Sequence, residues 1–497
     1  MAPDRFGAIL AMVNRYNSKL TAANELYDLL RDRMRSCIDS PQEALAFIGE
    51  HLVLKEVEKK MNGEVFTPPT FVLHMIEQLE KAYPTVFTDP SITFLDPANG
   101  HGNFPVVLFH KLMVGLSQAI PDPSARKKHI LEKQLFMCEI NGKNVEICKK
   151  LFDPHGEYKL NLFHGPFQDL NPETLWGIKM FHVVLGNPPY NKPATSKGGA
   201  GSRTQLFPVF VKRSLDLLKI NGFLCMVHPP MWRAPHSDLR LLLLKNQIHF
   251  LQMYSESEAK RIMNASTRID MYVVQKKKPT TVTHLISEDM KEAPLLLSLS
   301  TPFIMSKGQG IFEHMYAKIL SKEMMPLAAV KKAIPKSKCK DKKQGDFVYP
   351  LLHSTGDPTK IVWSSKEHSN QKQMKVAYAE GRHIYPVYDA GVYGTTDNMH
   401  SIAVSSEAEG RHVCRFLSSK LMKYIVCSTK WSSFRTQYEM FPFIPCPSTS
   451  SLPPSFTDAD LYKIFGLTME QVAMIESDQP GPGLAEFEFS SIQTEHT

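Results

Sequence analysis

The sequence predicts an α/β chain built on a doubly wound sheet, with a helical extension before it and a mixed α+β region after it. Three observations carry that expectation. Short apolar runs alternate with helix-period segments from about residue 60 to 280. The apolar runs close in succession on polar or acidic groups at Asp96, Glu139, Asp169 and Asn187. Beyond about 345 the pattern turns β-leaning and aromatic, with Tyr349, Trp363, Tyr378, Tyr385, Tyr388 and Tyr393. The expected divisions are a helical extension at 1–60, the α/β domain at 61–285, a further domain at 286–476, and a Pro/Gly/Ser-rich acidic tail at 477–497 that reads as disordered.

Composition bounds the function. A chain of 497 residues, 43% hydrophobic and 22% charged, can bury two or three cores. No apolar run reaches the length of a membrane span, and Met1-Ala-Pro-Asp-Arg-Phe6 lacks the pattern of a secretory signal. The eight cysteines are scattered without a C-x-x-C pair, so they read as reduced thiols, not as a disulfide frame or a zinc site. A formal charge of +8 leans towards a polyanionic partner.

Taken in order, residues 1 to 60 place Ile9, Met12, Val13, Leu26, Leu29 and Leu30 at helical spacing, and Asp39-Ser40-Pro41 caps a further helix. The segment is too short and too poor in clustered carboxylates to be a fused nuclease. Gly63-Glu-Val-Phe-Thr-Pro-Pro69 is a proline turn feeding a helix N-terminus, whose free backbone amides suit a carboxylate. Ile92 to Phe104 is a strand running into an acidic turn with Gly100 and Gly102, where a ligand can approach the main chain. This turn lacks the third glycine of a dinucleotide loop and the Gly-Lys-Ser/Thr of a phosphate loop. Asp96 is the wrong partner for a pyrophosphate but suits an ammonium group.

Gln134 to Ile140 is a second strand, and an acid at its end, Glu139, commonly holds ribose hydroxyls. Asn161 to Asp169 repeats the theme, with Asp169 able to accept from an exocyclic amine. Phe181-His-Val-Val-Leu-Gly-Asn-Pro-Pro-Tyr190 is a buried strand stopped by two prolines. Alone it fits a proline turn as well as a clamp for a planar, amine-bearing base. The Gly-rich stretch after it carries Lys192, Lys197 and Arg203, suited to backbone phosphates. Leu206–Leu218 and Leu239–Leu244 read as helices, Gly222–Pro230 and Met271–Gln275 as strands. In the C-terminal region Lys331–Lys343, with Lys336 and Lys338, is a basic run, and Arg411–Val426 reads as one helix. Trp431-Ser-Ser-Phe-Arg-Thr-Gln-Tyr438, with Trp431 and Arg435, fits a groove-reading loop and a core turn equally.

These motifs resemble the N6-adenine DNA methyltransferases of restriction–modification type, in the arrangement where the cofactor half precedes the catalytic half and target recognition comes last. Gly63–Pro69 resembles the family's first cofactor motif, with Phe66, Thr67 and Pro68. Asp96-Pro-Ala-Asn-Gly-His-Gly-Asn-Phe104 resembles its main S-adenosylmethionine loop, and Asn187-Pro-Pro-Tyr190 matches its catalytic tetrapeptide. Asn99 stands where the family usually has a small residue or Cys, and His101 where it has Ser.

The resemblance implies a Rossmann-like class I S-adenosylmethionine-dependent methyltransferase domain followed by a target recognition domain. It implies cofactor contacts from Phe66, Thr67, Pro68, Asp96, Pro97, Ala98, Gly100, Gly102, Asn103, Phe104, Glu139, Ile140, Phe167 and Asp169. Asn187, Pro188, Pro189 and Tyr190 would carry catalysis, Tyr190 and Tyr272 would stack on the target base, and no metal is called for. Double-stranded DNA is the expected partner, bound by a monomer, with a separate cognate restriction endonuclease and a cytoplasmic address. RNA-adenine and protein-glutamine methylation, and an inactive DNA-binding protein on the same fold, stay open as alternatives.

Overall fold

The computed structural model describes residues 67–191, 205–331, 333–356, 358–380, 384–429, 438–478 and Leu484. The expected helical extension at 1–60 and most of the tail lie outside them. A nine-stranded sheet organises the first half, in the order β3-β2-β1-β4-β5-β7-β6-β8-β9. Its strands are β1 (Phe94–Asp96), β2 (Leu135–Glu139), β3 (Asn161–His164), β4 (Phe181–Gly186), β5 (Leu218–His228), β6 (Gln247–Tyr254), β7 (Ile269–Gln275), β8 (Thr283–Ile286) and β9 (Glu292–Leu295). β1 to β5 pair in parallel, so the C-terminal ends of β3, β2, β1 and β4 lie side by side on one edge. β7 runs antiparallel between β5 and β6. The chain leaves β1 in one direction and returns to its other side as β4, which makes the β1–β4 junction the topological switch point where such sheets hold ligands.

Both faces of the sheet are covered, as a parallel sheet requires. Alternate residues of β4 show it: Val183 and Leu185 join one core, Phe181 and Val184 the other. On the first face lie α1 (Pro69–Ala82), with Phe71, Val72, Met75, Ile76 and Leu79 buried, and α2 (Asn103–Gly115). Beside them runs α3 (Gly142–Phe152), which buries Val145, Cys148 and Phe152. The other face packs on α4 (Phe207–Leu217). β6 carries no strong sequence signal because its polar Gln247 and Gln252 are buried. Gln247 Oε1 accepts from the N–H of Thr280 at 2.7 Å, its Nε2 donates to the Thr281 carbonyl at 2.9 Å, and Gln252 bonds His74 at 2.8 Å.

The expected domain boundary at 285 falls inside β8, and the sheet continues to Leu295. The second unit has its own core, from Phe303 to Leu484 with Ala234 as an outlier. A four-stranded sheet takes Ala329–Val330, Met399–Ala403, Lys375–Ala379 and Val387–Asp389 in that order, and a three-stranded sheet takes Lys360–Ser364, Tyr349–Ser354 and Gly394–Thr395. The single helix expected at Arg411–Val426 is two, Glu407–Ser418 and Lys420–Ser428. Ser419 breaks it with an extended backbone, and its hydroxyl accepts the N–H of Met422 at 3.1 Å to cap the second helix. Among the described residues no helix is long and apolar enough to cross a membrane.

Candidate active site

The edge formed by β3, β2, β1 and β4 gathers the residues singled out in the sequence. β1 delivers Asp96, 1% exposed, whose Oδ1 accepts the N–H of Ala98 at 3.0 Å. Its other oxygen, Oδ2, is buried with no donor. Burial pushes this carboxyl up to about 8, against the Ala98 N–H and helped by the nearby charge of Glu139. Pro97, Ala98 and Gly100 continue the turn. Gly102 sits at φ +90° at the start of α2, where an added Cβ would also stand 3.3 Å from the Cys148 sulfur. Asn103 and Phe104 open α2, both buried.

Two amides in the same loop extend the pattern. Asn99 is buried, and its Nδ2 donates to Cys148 Sγ at 2.7 Å and to the Gly100 carbonyl at 3.3 Å. Asn103 Nδ2 donates to the Thr67 carbonyl at 2.9 Å. Asn99 Oδ1 and Asn103 Oδ1, like Asp96 Oδ2, are buried acceptors without a donor. Three such oxygens within eight residues leave the loop short of hydrogen, because buried acceptors ordinarily find partners.

β2 delivers Glu139, 5% exposed, whose Oε2 accepts from Gly100 N at 2.6 Å and whose Oε1 accepts from Asn141 N at 2.7 Å. The next residue, Ile140, is 67% exposed, an apolar side chain left open at the sheet edge. Past β3, the turn Phe167–Asp169 buries Phe167 against Phe210, with centroids 5.2 Å apart, and leaves Asp169 exposed.

β4 delivers Asn187. The register holds it close, because a Cβ on Gly186 would stand 2.9 Å from Asp96 Oδ1. Asn187 Nδ2 donates to Thr67 Oγ1 at 2.9 Å. Thr67 and Pro68 immediately precede α1, and the carbonyl of Pro68 accepts from Phe71 and Val72. Thr67 thus ties together the turn before α1, the glycine loop through Asn103, and the strand end of β4. Pro188 is buried and Pro189 half-buried. Tyr190 is 6% exposed and joins the core that holds Phe71, Phe104 and Tyr254, and burial pushes its phenol well above the usual range. Its carbonyl accepts from Leu206 at 3.0 Å, and Asn191 pairs with Gln205.

Tyr272, expected to stack on the target base, does not face the strand edge that carries Asn187 as an open side chain. It is fully buried inside β7, its hydroxyl bonds His228 Nε2 at 2.8 Å, and its ring makes T-shaped contacts with His228 and Trp232. An aromatic in a late strand marks it in the sequence, and the unbroken apolar run from Met271 to Val274 does not show that the strand is buried on both faces. Lys336 and Lys338 occupy a short turn over 40 residues of chain beyond the large sheet, Lys338 exposed and Lys336 paired with Asp341 at 2.7 Å. Phe66, Lys192, Lys197, Arg203, Trp431 and Arg435 lie outside the described residues. Among the described residues no cluster of three or more His, Cys, Asp or Glu is placed to hold a metal ion.

Residues 122–260 match the family of Eco57I restriction-modification methylases. A Mycoplasma pneumoniae protein (strain ATCC 29342 / M129 / Subtype 1) described as an uncharacterized adenine-specific methylase is 25% identical over 260 residues. The match takes in 38% of this chain and 60% of that protein, so the chain spans less than two thirds of this relative's length. Among solved structures, a nuclease-deletion mutant of the type ISP restriction-modification enzyme LlaGI, bound to a DNA substrate mimic, aligns with a TM-score of 0.50 at 10% identity, over 75% of this chain and 45% of that one. The type IIL restriction-modification enzyme MmeI in complex with DNA aligns at 0.48 and 13% identity, over 89% and 75%. Part of the chain, residues 122–260, is thus similar to the Eco57I restriction-modification methylases, and its fold is similar to that of the type ISP enzyme.

Proposed function

We propose that this chain methylates the exocyclic N6 amine of an adenine flipped out of DNA, with S-adenosylmethionine as donor. The observation that carries the reading is the convergence at the switch point: Asn187, held through its NH2 by Thr67, stands against a loop whose Asp96, Asn99 and Asn103 offer buried acceptors that lack donors. A set of acceptors with one carboxylate fits a cationic amino-acid moiety. Glu139 and Asp169 suit the ribose and the adenine amine, and a carboxylate has about four lone-pair sites, so Glu139 can take ribose hydroxyls while bonding Gly100 and Asn141. Ile140 and Phe167 supply the apolar walls. The cofactor, when bound, supplies a methyl group on a sulfonium.

The protein's own part is to hold the amine. With its nitrogen engaged by Thr67, Asn187 would keep its carbonyl for an incoming donor. That oxygen and the Pro188 carbonyl would accept the two N6 protons, which keeps the nitrogen lone pair from delocalising into the ring and leaves it nucleophilic. Tyr190 would stack on the base, at roughly 1–3 kcal/mol, offsetting the few kcal/mol needed to extrude it. Because Tyr190 is 94% covered in the free protein, base entry requires its cover to shift. On this reading the second unit engages the duplex, with Lys336 and Lys338 among its phosphate contacts.

Tritium transfer from labelled S-adenosylmethionine to DNA, RNA and protein in parallel tests the assignment, and label in adenine N6 of DNA is expected. Asn187→Ala should lower the transfer rate by about 10²–10³-fold, as for other single transition-state contacts, with cofactor affinity nearly unchanged. Label confined to RNA or protein would reassign the substrate, and full activity of Asn187→Ala would remove the mechanism.

A further inference from the structure

β5 ends at His228, next to the end of β4, through the pairing of Met226 with Gly186. The chain then makes a short turn, Pro230–Arg233, whose residues face different cores. Trp232 is buried in the core of the large sheet, while Ala234 belongs to the core of the second unit. Arg233 lies between them and is fully buried. Its Nε meets Asp270 Oδ2, at the start of β7, at 3.0 Å, and the indole N–H of Trp232 donates to the same oxygen at 2.7 Å. Its Nη1 donates to Met253 Sδ in β6 at 3.1 Å and to Ser306 Oγ at 3.2 Å.

Ser306 is where the second unit begins. Phe303 and Met305 enter its core, and Ile304 between them enters the core of the large sheet. The backbone of Ser306 also bonds both sides: its N–H donates to the Ser428 carbonyl and its carbonyl accepts from Glu288, each at 2.8 Å. A few residues on, Arg240 donates to the carbonyl of Thr301 in the same connecting stretch.

The ion pair is poorly completed. Arg233 Nη2 and Asp270 Oδ1 are buried without partners. A buried pair in this state returns little or no stability relative to well-packed apolar side chains, and its best-supported use is to fix one arrangement among several. The arrangement at issue here is the seating of the second unit on the strand ends that carry the site.

We propose that Arg233 is a positioning residue that locks the second unit in register with the β4–β5 strand ends, so that a base delivered by the one meets Asn187 on the other. This rests on the methyltransferase reading above. Arg233 touches neither Asn187 nor the glycine loop in the structure's contacts, so it acts through geometry alone.

The test uses the full chain and single-turnover methyl transfer with saturating S-adenosylmethionine and DNA. Ser306→Ala removes only the link from Arg233 to the second unit and keeps the ion pair, and it should slow transfer by about 3- to 10-fold. The double variant Arg233→Met with Asp270→Leu replaces the pair by apolar side chains and should unfold at or above the wild-type temperature. It should bind the cofactor within about two-fold of wild type and transfer methyl at least 10-fold more slowly. A role in packing alone would not separate folding and cofactor affinity from the single-turnover rate. Wild-type transfer with unchanged rates in Ser306→Ala would overturn the inference while leaving the methyltransferase reading intact. An absence of transfer by the wild-type protein to DNA, RNA or protein would overturn that reading first. Should the double variant fail to fold, Ser306→Ala alone decides.

Discussion

Two fully buried aspartates, one in each half of the molecule, set the halves apart. Asp389 in the second unit takes the Lys375 ammonium at 2.5 Å, and its oxygens also accept from the N–H groups of Gly391, Val392 and Tyr393. Lys375 in turn donates to the carbonyls of Asn370 and Gln373. Asp96 at the end of β1 takes one N–H, that of Ala98, and leaves an oxygen bare. One carboxyl group is completed by its own fold, the other waits for something the fold does not supply. The difference teaches where to look for ligand chemistry: not at the charged residues as such, but at the buried ones the chain has left unfinished.

The comparison is broken most forcefully from the finished side. Lys375→Ala strands the Asp389 carboxylate without its cation, and should cost about 3–5 kcal/mol in chemical unfolding. Asp96→Asn removes a buried carboxyl that has almost no partners to lose, and should leave the ligand-free protein within about 1 kcal/mol of wild type. Equal losses in the two variants would show that the contrast between the aspartates has no energetic content.

The order reverses when the ligand is added. Asp96→Asn should weaken S-adenosylmethionine binding by roughly 10- to 100-fold in calorimetry, the ~1.5–3 kcal/mol of a hydrogen bond to a charged group. Lys375→Ala should leave the affinity of the folded protein unchanged. A pH series sharpens this. The folded Asp96 carboxyl, raised to about 8 by burial, holds a proton that the unfolded chain has already lost above the usual carboxylate range. The folded state therefore binds more protons between about pH 4 and 8, and this group's contribution to ligand-free stability falls as pH rises through that window. A cationic ligand prefers the ionised form, so its affinity should rise from pH 6.5 to 8.5 in the wild-type protein and stay nearly flat in Asp96→Asn. A pH-independent affinity in the wild type would remove Asp96 from the ligand's contacts.

How much of this was legible follows the same division. The parallel strands announce themselves because each is a short apolar run with a polar terminus, and Asp96, Glu139 and Asn187 do lie along one edge. What joins them was not legible. The bond from Asn187 to Thr67 spans 120 positions, and a motif that assigns Thr67 to the cofactor does not link it to Asn187. β6 was hidden because its glutamines are satisfied inside the core, against the rule that polar residues mark loops. The burial of Tyr272 was hidden for the converse reason, since the unbroken apolar run from Met271 to Val274 does not reveal which side chains have an open face. In the second unit, sheets assembled from strands far apart in the chain leave no periodic trace. The helix break at Ser419 turns on a single hydroxyl cap within an otherwise continuous apolar pattern.

The smallest effect concerns the surface, where paired and unpaired charge can be compared within one turn. Lys336 is held by Asp341 at 2.7 Å, and Lys360 approaches the same carboxylate at 3.7 Å, so a phosphate would have to compete for the Lys336 ammonium. Lys338, two residues on, is exposed and makes no ion pair among the described residues. Lys340 and Lys343 lie instead over the rings of Phe347 and Trp363, at 4.6 and 5.5 Å, which holds two further cations near in sequence. If this turn meets the DNA backbone, Lys338→Ala should lower the slope of log affinity against log salt by about 0.9, the release of one counterion. Lys336→Ala should change it by less, because Asp341 already neutralises part of that charge. Asp341→Ala should strengthen binding by freeing Lys336. Salt titrations of a short duplex, followed by fluorescence anisotropy, resolve slopes of this size. Identical slopes for wild type, Lys338→Ala and Asp341→Ala would take this turn out of the DNA interface.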